Sequence, residues 1–177
     1  CLVDLGGSAL SARDVCFTEP ELWMRDGVWH RPEVAPLPGR TGDPPPVRGR
    51  RFLVTGGMGG IGLHVAEHLA ERGCAHLTLV GRTVPTEGPR AERLRRLSER
   101  CEVVTLAGDV ADPALLDGAE RFHGVLHCAG VLRDGLVRSL DPEAAAEVLH
   151  PKVGGVHALA EALRAQPPEF VAVFSSV

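Results

Sequence analysis

The sequence lacks several features that mark common classes of protein. It contains no tyrosine, and aromatic residues make up only 4% of its 177 positions. No apolar run reaches the roughly 20 residues that span a bilayer, so we expect no membrane partner. The net charge of −4 gives no electrostatic support for a nucleic-acid partner. With 44% hydrophobic and 24% charged residues, the composition is that of a globular domain with a sizeable core.

Cysteine and lysine are also used sparingly. The five cysteines are scattered, odd in number and without a Cys-x-x-Cys pair. A disulfide framework or a cysteine zinc site is therefore not expected. We expect a reducing, cytoplasmic compartment. Of the 19 basic side chains, 18 are arginine and only Lys152 is lysine. An arginine bias from genome composition does not explain why one lysine is kept, which makes position 152 a candidate functional site.

The chain divides into three stretches by composition. Residues 1–35 read as β-rich, residues 36–50 contain five prolines and predict a stiff, extended linker, and residues 51–177 form the main domain. The N-terminus lacks both an initiator methionine and the pattern of a signal peptide. We therefore expect both ends to be cuts through a longer polypeptide.

The first stretch contains a strand signal and a hairpin signal. The strand signal is CLVDL, and the hairpin signal is ELWMRDGVWH, where Asp26-Gly27 suits a two-residue turn with positive φ. In that hairpin Met24 would face Trp29 across the two strands. The tryptophans are interpreted as packing residues.

From residue 51 onward, apolar strand signals alternate with helix signals. The strand signals cover residues 51–55, 76–81, 101–109, 123–130 and 169–176, and the helix signals cover 59–73, 90–100 and 141–165, the last interrupted at Pro151. Continuous apolar strands that alternate with helices predict a parallel sheet covered on both faces. Right-handed crossovers then give a doubly wound, Rossmann-type sheet with strand order 3-2-1-4-5.

A glycine-rich segment, VTGGMGGIG at residues 54–62, joins the first of these strands to the first helix. Glycine permits a sharp turn and a close approach by a pyrophosphate, while the helix N-terminus offers free N–H groups and partial positive charge. A dinucleotide site is the favoured interpretation, and a structural turn is the alternative. Spacing by four predicts that Ile61, Val65 and Leu69 form the core face of the helix.

The same helix carries HVAEH, which matches the H-x-x-E-H pattern of one zinc-protease family. No third ligand is signalled, so His64 and His68 are interpreted as solvated helix residues and no metal is predicted.

Two polar residues follow the second and third strands of the main domain. Arg82 stands where sites that prefer NAD carry an acidic residue, and an arginine there attracts a 2′-phosphate, which favours NADPH. A surface arginine is the alternative. Asp109 in GDVAD falls near the expected adenine pocket, although an aspartate that starts a turn would look the same.

Together these motifs resemble a known family. VTGGMGGIG, LVGRT, GDVAD, HCAGVLRDG, HPKVGG and FSSV occur in the order seen in short-chain dehydrogenase/reductases. More narrowly, residues 51–177 are similar to the ketoreductase domains of modular polyketide synthases and related fatty acid synthases. EPELWMRDGVW resembles the end of the structural subdomain that precedes such catalytic halves, which implies that residues 1–35 are its C-terminal remnant.

The resemblance implies a role for each matching residue. Lys152 and Ser176 match the catalytic lysine and serine, and His127 stands at a position where ketoreductases commonly have histidine. Arg82 matches the 2′-phosphate contact, and Asp109 with Val110 matches the adenine contacts. The matching cofactor-binding residues are Thr55, Gly56, Gly57, Met58, Gly59, Gly60, Ile61, Gly62, Arg82, Asp109, Val110, Ala129 and Gly130. The catalytic tyrosine of the family and its following asparagine are absent.

The residue types fit ketone reduction. A nicotinamide delivers hydride to the ketone carbon, a serine hydroxyl bonds the ketone oxygen, and an ammonium favours ionisation of the phenol that donates the proton. The resemblance therefore implies NADPH-dependent reduction of a β-ketoacyl thioester to a β-hydroxyacyl thioester, on an acyl carrier protein among neighbouring synthase domains. The alternatives are a non-catalytic Rossmann module with a structural or nucleotide-binding role and a stand-alone acyl reductase.

Two further expectations concern stereochemistry and the end of the chain. The segment GVLRDG keeps Asp134, the last acidic residue of a Leu-Asp-Asp signature, while Arg133 replaces the other aspartate. The resemblance therefore implies the B-type stereochemical class, which gives a D-configured alcohol. The strand FVAVFSSV is expected to bury residues 170–174 between helix layers and to form an uncovered edge. Because of that edge, residues 1–177 alone are expected to be poorly soluble. Without the family's tyrosine they are also expected to be inactive.

Overall fold

The computed structural model describes residues 2–4, 21–26, 28–31, 33, 45–118, 120–136, 138 and 141–174. The chain divides into two compact units, residues 1–44 and 45–177. Most of the predicted proline-rich linker, residues 36–44, lies outside the described residues. Within the described ranges, no helix is both long enough and apolar enough to cross a membrane.

The first unit contains a small sheet with the predicted hairpin. Its strands are β1 (Leu2–Asp4), β2 (Glu21–Arg25) and β3 (Val28–His30), with β1 parallel to β2 and β2 antiparallel to β3. Met24 pairs with Trp29, as the hairpin signal predicts. Asp26 has a φ of 51°, which confirms the left-handed turn position that aspartate tolerates better than most residues.

The second unit is a layered α/β structure. Its strands are β4 (Arg51–Thr55), β5 (His76–Gly81), β6 (Glu102–Ala107), β7 (Gly124–His127) and β8 (Phe170–Val173). Its helices are α1 (Gly60–Glu71), α2 (Gly88–Ser98), α3 (Pro142–Leu149) and α4 (Gly155–Ala162), with a short 3₁₀ turn at Pro113–Leu116. All described strand pairs of this unit are parallel, in the order β6-β5-β4-β7-β8. The predicted strand order 3-2-1-4-5 is therefore confirmed.

The core lies on both faces of this sheet. Along β4, Phe52 and Val54 join one buried cluster with the α1 residues Leu63 and Leu69, while Leu53 joins the cluster on the opposite face. Successive side chains of a strand point to opposite faces, so a strand covered by helices on both sides must be apolar throughout. That requirement explains why RFLVT reads as a continuous apolar run.

The predicted core face of α1 is wrong at its first residue. Ile61 is 61% exposed, whereas Leu63, Ala66, Leu69 and Ala70 are buried. An α-helix turns by about 100° per residue, so a spacing of four drifts about 40° per step and carries Ile61 off the face that Leu69 occupies. Ile61 therefore stands in the first turn of α1, within the glycine-rich segment, with its side chain in solvent.

The predicted interruption at Pro151 takes the form of a π-helix. Residues His150–Gly154 form this π-helix between α3 and α4, and the Gly155 N–H donates to the His150 carbonyl. Pro151 is buried and has no N–H, so it cannot complete an α-helical ladder. The segment therefore keeps its direction and widens for one turn instead of ending.

The expected burial of residues 170–174 holds for one face only. The Phe170 ring packs near the Phe52 ring, with 6.2 Å between their centroids. On the other face of β8, Val171 and Val173 are 54% and 51% exposed, and Phe174, just beyond the end of β8, is 46% exposed, so the expectation that the whole stretch is buried is wrong. The alternation follows from the pleat, because β8 is the outer strand of the described sheet and one of its faces meets no core there.

Candidate nucleotide-binding and catalytic site

The glycine-rich segment folds into a tight turn between β4 and α1. Gly56 has a φ of +65°, and a Cβ there would lie 2.7 Å from the Cys128 carbonyl oxygen. A Cβ on Gly62 would lie 2.2 Å from the Gly56 carbonyl oxygen. Only glycine fits at either position, since one needs a left-handed backbone and the other has no room for a side chain.

Hydrogen bonds fix this turn against the sheet. Gly57 N donates to the Val80 carbonyl at 3.1 Å, and Gly59 N donates to the Gly56 carbonyl at 2.9 Å. The cap residue of α1 is Gly59, which has no side chain to accept from the helix N–H groups, and the first turn of α1 carries no acidic residue. The amino end of α1 thus offers N–H donors and partial positive charge to an anion, as a pyrophosphate requires.

Met58 has a packing role in this turn. It is 4% exposed, and a Cβ on Gly81 would lie 2.9 Å from its terminal carbon. The Met58 side chain therefore packs between the turn and the end of β5. The resemblance predicts Met58 as a cofactor-binding residue, and the structure shows its side chain buried in packing.

The Asp109 carboxylate is held by two donors. Ala111 N donates to its Oδ1 at 2.9 Å, and His150 Nε2 lies 2.8 Å from its Oδ2. The Ala111 N–H, the His150 ring and, to a smaller extent, the charge of Arg82 together lower the pKa of Asp109. Asp109 is therefore ionised at neutral pH, and it shares one edge of the sheet with Arg82.

Lys152 lies on the π-helix and is exposed. A Cβ on Gly130 would lie 4.0 Å from Lys152 Cε, so the lysine stem passes beside the loop that follows β7. Ala129 and Gly130 belong to that loop. The structure thus brings Lys152 close to Gly130, one of the predicted cofactor-binding positions.

His127 is a buried polar residue whose partners the sequence does not predict. It is 2% exposed, and its Nδ1 lies 2.7 Å from Thr55 Oγ1, which the strand register sets directly opposite. Burial lowers the pKa of His127, so the ring is neutral, although the nearby Pro151 backbone opposes this shift. Its Nε2 has no partner at hydrogen-bond geometry among the described residues. The only signal in the sequence is a histidine that ends an apolar strand.

Other predicted positions are not brought into this cluster by the described residues. Ser176 lies outside the described residues. Asp134 is exposed, and its neighbour Arg133 donates from Nε to Glu147 Oε2 at 2.8 Å. In the described part of the chain, no group of three His, Cys, Asp or Glu side chains could hold a metal, and His64 instead lies 3.1 Å from Arg93 Nη2.

Comparison with known families identifies this arrangement. The model of the KR domain family matches residues 51–177, which is most of the chain. The chain belongs to the KR domain family. KR domains of this kind are ketoreductases of polyketide synthases, built on the short-chain dehydrogenase/reductase fold.

Curated relatives of this KR domain are large mycobacterial synthases. The chain is 36% identical over 136 residues to phthioceranic/hydroxyphthioceranic acid synthase of Mycobacterium tuberculosis, covering 71% of this chain and 6% of the synthase. It is 34% identical over 203 residues to one component of the phenolphthiocerol/phthiocerol polyketide synthase of the same species, covering 97% of this chain and 10% of that protein. The chain thus spans about a tenth or less of the length of these synthases.

Solved structures carry the same fold. The ketoreductase from the first module of phoslactomycin biosynthesis in Streptomyces sp. HK803 superposes with a TM-score of 0.74 at 30% identity, covering 89% of this chain and 39% of that one. A structure of A-type ketoreductases from a modular polyketide synthase gives a TM-score of 0.73 at 34% identity, covering 89% and 36%.

Substituting Gly56 tests the geometry of the turn. We expect Gly56→Ala to lower the free energy of unfolding by about 1–3 kcal/mol, because alanine must adopt a left-handed backbone and meet the Cys128 carbonyl. Gly60→Ala is the matched control, since a Cβ there has nothing within 4 Å and alanine favours a helix. Urea unfolding of both variants measures the difference, and equal midpoints would contradict the assignment of strain to Gly56.

Proposed function

We propose that this chain is part of an NADPH-dependent β-ketoacyl reductase in a multidomain synthase. The reaction is reduction of a β-ketoacyl thioester, carried by an acyl carrier protein, to a β-hydroxyacyl thioester in polyketide or related fatty acid biosynthesis. One observation carries this proposal. The carboxyl edge of one parallel sheet carries the glycine turn, Asp109, Gly130 and Lys152. Ligands of doubly wound sheets bind at that edge.

The fit of a dinucleotide rests on the turn itself. Its backbone leaves no space for side chains at Gly56 and Gly62, so the turn stays compact beside the amino end of α1, whose N–H groups would bind a phosphate. Arg82 would bind the 2′-phosphate and Asp109 with Val110 would hold the adenine end. Ala129 and Gly130 follow β7 and would line the path towards the nicotinamide.

Side chains of this chain would assist the reduction by charge and by hydrogen bonding. Bound NADPH supplies the hydride for the ketone carbon. The Lys152 ammonium places a positive charge where negative charge develops, and the Ser176 hydroxyl donates a hydrogen bond to the ketone oxygen. The chain has no tyrosine, so in this proposal the phenol that protonates the alkoxide is supplied from outside these 177 residues.

A non-catalytic Rossmann module is the second candidate function. Such a module would bind nucleotide without a proton donor and would not turn over. Both candidates share the nucleotide site and have neighbouring synthase domains as partners. The great length of the related synthases supports those partners.

Cofactor choice tests the role of Arg82. We expect NADPH to bind about ten- to a hundredfold more tightly than NADH, since a charge-assisted hydrogen bond contributes about 1.5–3 kcal/mol. Arg82→Ala should remove most of that preference, whereas Arg72→Ala, at an exposed position at the carboxyl end of α1, should keep it. Fluorescence titration with both cofactors measures it, and equal affinities in the parent chain would refute NADPH specificity.

Lysine and serine variants test the catalytic assignment. In a ketoreductase that extends this chain through the family's Tyr-x-x-x-Asn motif, Lys152→Ala and Ser176→Ala should each slow reduction by about 10²–10⁴-fold, the usual range for acid–base assistance. Arg164→Ala is the control, because Arg164 is exposed and pairs with Glu161. NADPH oxidation with a β-ketothioester gives the rates. An extended protein that binds NADPH but shows no turnover would favour the non-catalytic module.

The stereochemical proposal rests on Asp134. We expect the same extended protein to give the D-configured 3-hydroxyl from a model β-ketothioester, and chiral analysis of the alcohol measures it. Arg133 is engaged by Glu147, which leaves Asp134 as the acidic residue that the loop presents. An L-configured product would overturn the B-type assignment.

A further inference from the structure

The segment that carries Lys152 rests against the turn after β6. His150 Nε2 lies 2.8 Å from Asp109 Oδ2. A Cβ on Gly154 would lie 3.2 Å from the Ala111 Cβ, and a Cβ on Gly155 would lie 2.9 Å from a Val110 methyl carbon. The two segments therefore pack closely at Gly154 and Gly155, where an added methyl group would crowd the turn, and a charge-assisted hydrogen bond joins them at His150.

The sheet supports the same segment from behind. A Cβ on Gly155 would lie 3.1 Å from His127 Cε1, and that ring is fixed by Thr55 at the end of β4. The segment 150–155 therefore contacts the turn 109–111 through His150, Gly154 and Gly155, and it contacts His127 through Gly155.

The π-helix makes the position of Lys152 depend on these contacts. A regular α-helix fixes each residue through its own ladder, but residues 150–154 depart from that ladder around Pro151. Lys152 is two residues from His150 and lies between its contact with Asp109 and the packing of Gly154 and Gly155. A shift of the turn would therefore be passed to the lysine.

We propose that the turn 109–111 and the segment 150–155 move together. A ligand in the adenine pocket then changes the position of the Lys152 side chain, and His150 is the positioning residue. The inference rests on the proposed function, which gives Asp109 and Val110 to the adenine pocket. A carboxylate oxygen accepts more than one hydrogen bond, so Asp109 can take a donor from adenine while it keeps His150. Binding would then restrict the carboxylate and, through it, the π-helix.

The single lysine of the chain allows a direct test. Because Lys152 is the only lysine, acylation by an amine-reactive ester, followed by peptide mass spectrometry, reports on this side chain alone. The ligand is adenosine 2′,5′-bisphosphate, which lacks the nicotinamide half. In the parent chain we expect saturating ligand to change the acylation rate of Lys152 about fivefold, the lower end of coupling between sites.

Variants at His150 separate the coupling from the direct charge of the ligand. His150→Ala should lose most of the ligand-dependent change and still bind the ligand, while His150→Gln, which can place an N–H near Asp109, should retain it. Direct electrostatic effects on Lys152 persist in both variants. His157→Ala is the matched control, because His157 is another exposed histidine, on α4 beyond the π-helix, and it should behave as the parent.

The outcomes distinguish the coupling from the proposed function. A ligand-dependent change that falls well below the parent value only in His150→Ala supports the coupling. An equal change in the parent and His150→Ala, with binding intact in both, overturns the coupling and leaves the NADPH site standing. Absence of binding by the parent chain, measured by calorimetry, overturns the NADPH site and the coupling together.

Discussion

The register of β4 with its two neighbours is the constraint on which the site depends. β4 is buried on both faces, and its parallel pairing sets Thr55 level with Val80 on β5 and with His127 on β7. The three strands therefore end level with one another, and the loops that follow them lie at the same edge of the sheet. A slip by one residue would turn every side chain of β4 to the opposite face. The two apolar clusters therefore fix the register, and the register fixes the positions at which the loops leave the strands.

The strands and their order could be predicted because the rules behind them are local or general. An apolar run of five or six residues bounded by glycine is visible in the sequence, and right-handed crossovers restrict the topology. The failures came where helix phase or the covering of a strand face decides the outcome. Ile61 is apolar and helical, yet the helix phase leaves it in solvent, and Val171 is apolar within a strand that has one covered face.

The residues of the candidate site can be predicted from the sequence more readily than the contacts between them. The glycine positions follow from the needs of a tight turn and close approach. By contrast, His150 bonds Asp109 across 41 positions and Thr55 bonds His127 across 72, and neither pair has a signature in the sequence. Such contacts arise only when the sheet is assembled, so a histidine before a proline or at the end of a strand remains uninformative until the fold is known.

The π-helix accounts for the place of the lysine in physical terms. Among the described residues, α3 has none that is buried, whereas α4 buries Gly155, Ala158 and Leu159 against the sheet. One wide turn changes the helix phase between these two environments, and Pro151 favours the change there because it cannot donate to the preceding turn. Lys152 stands in that turn, where the helix first meets the sheet edge while its polar side still faces solvent. An irregular helix thus brings a charged side chain to the edge without burying the charge, which would be costly.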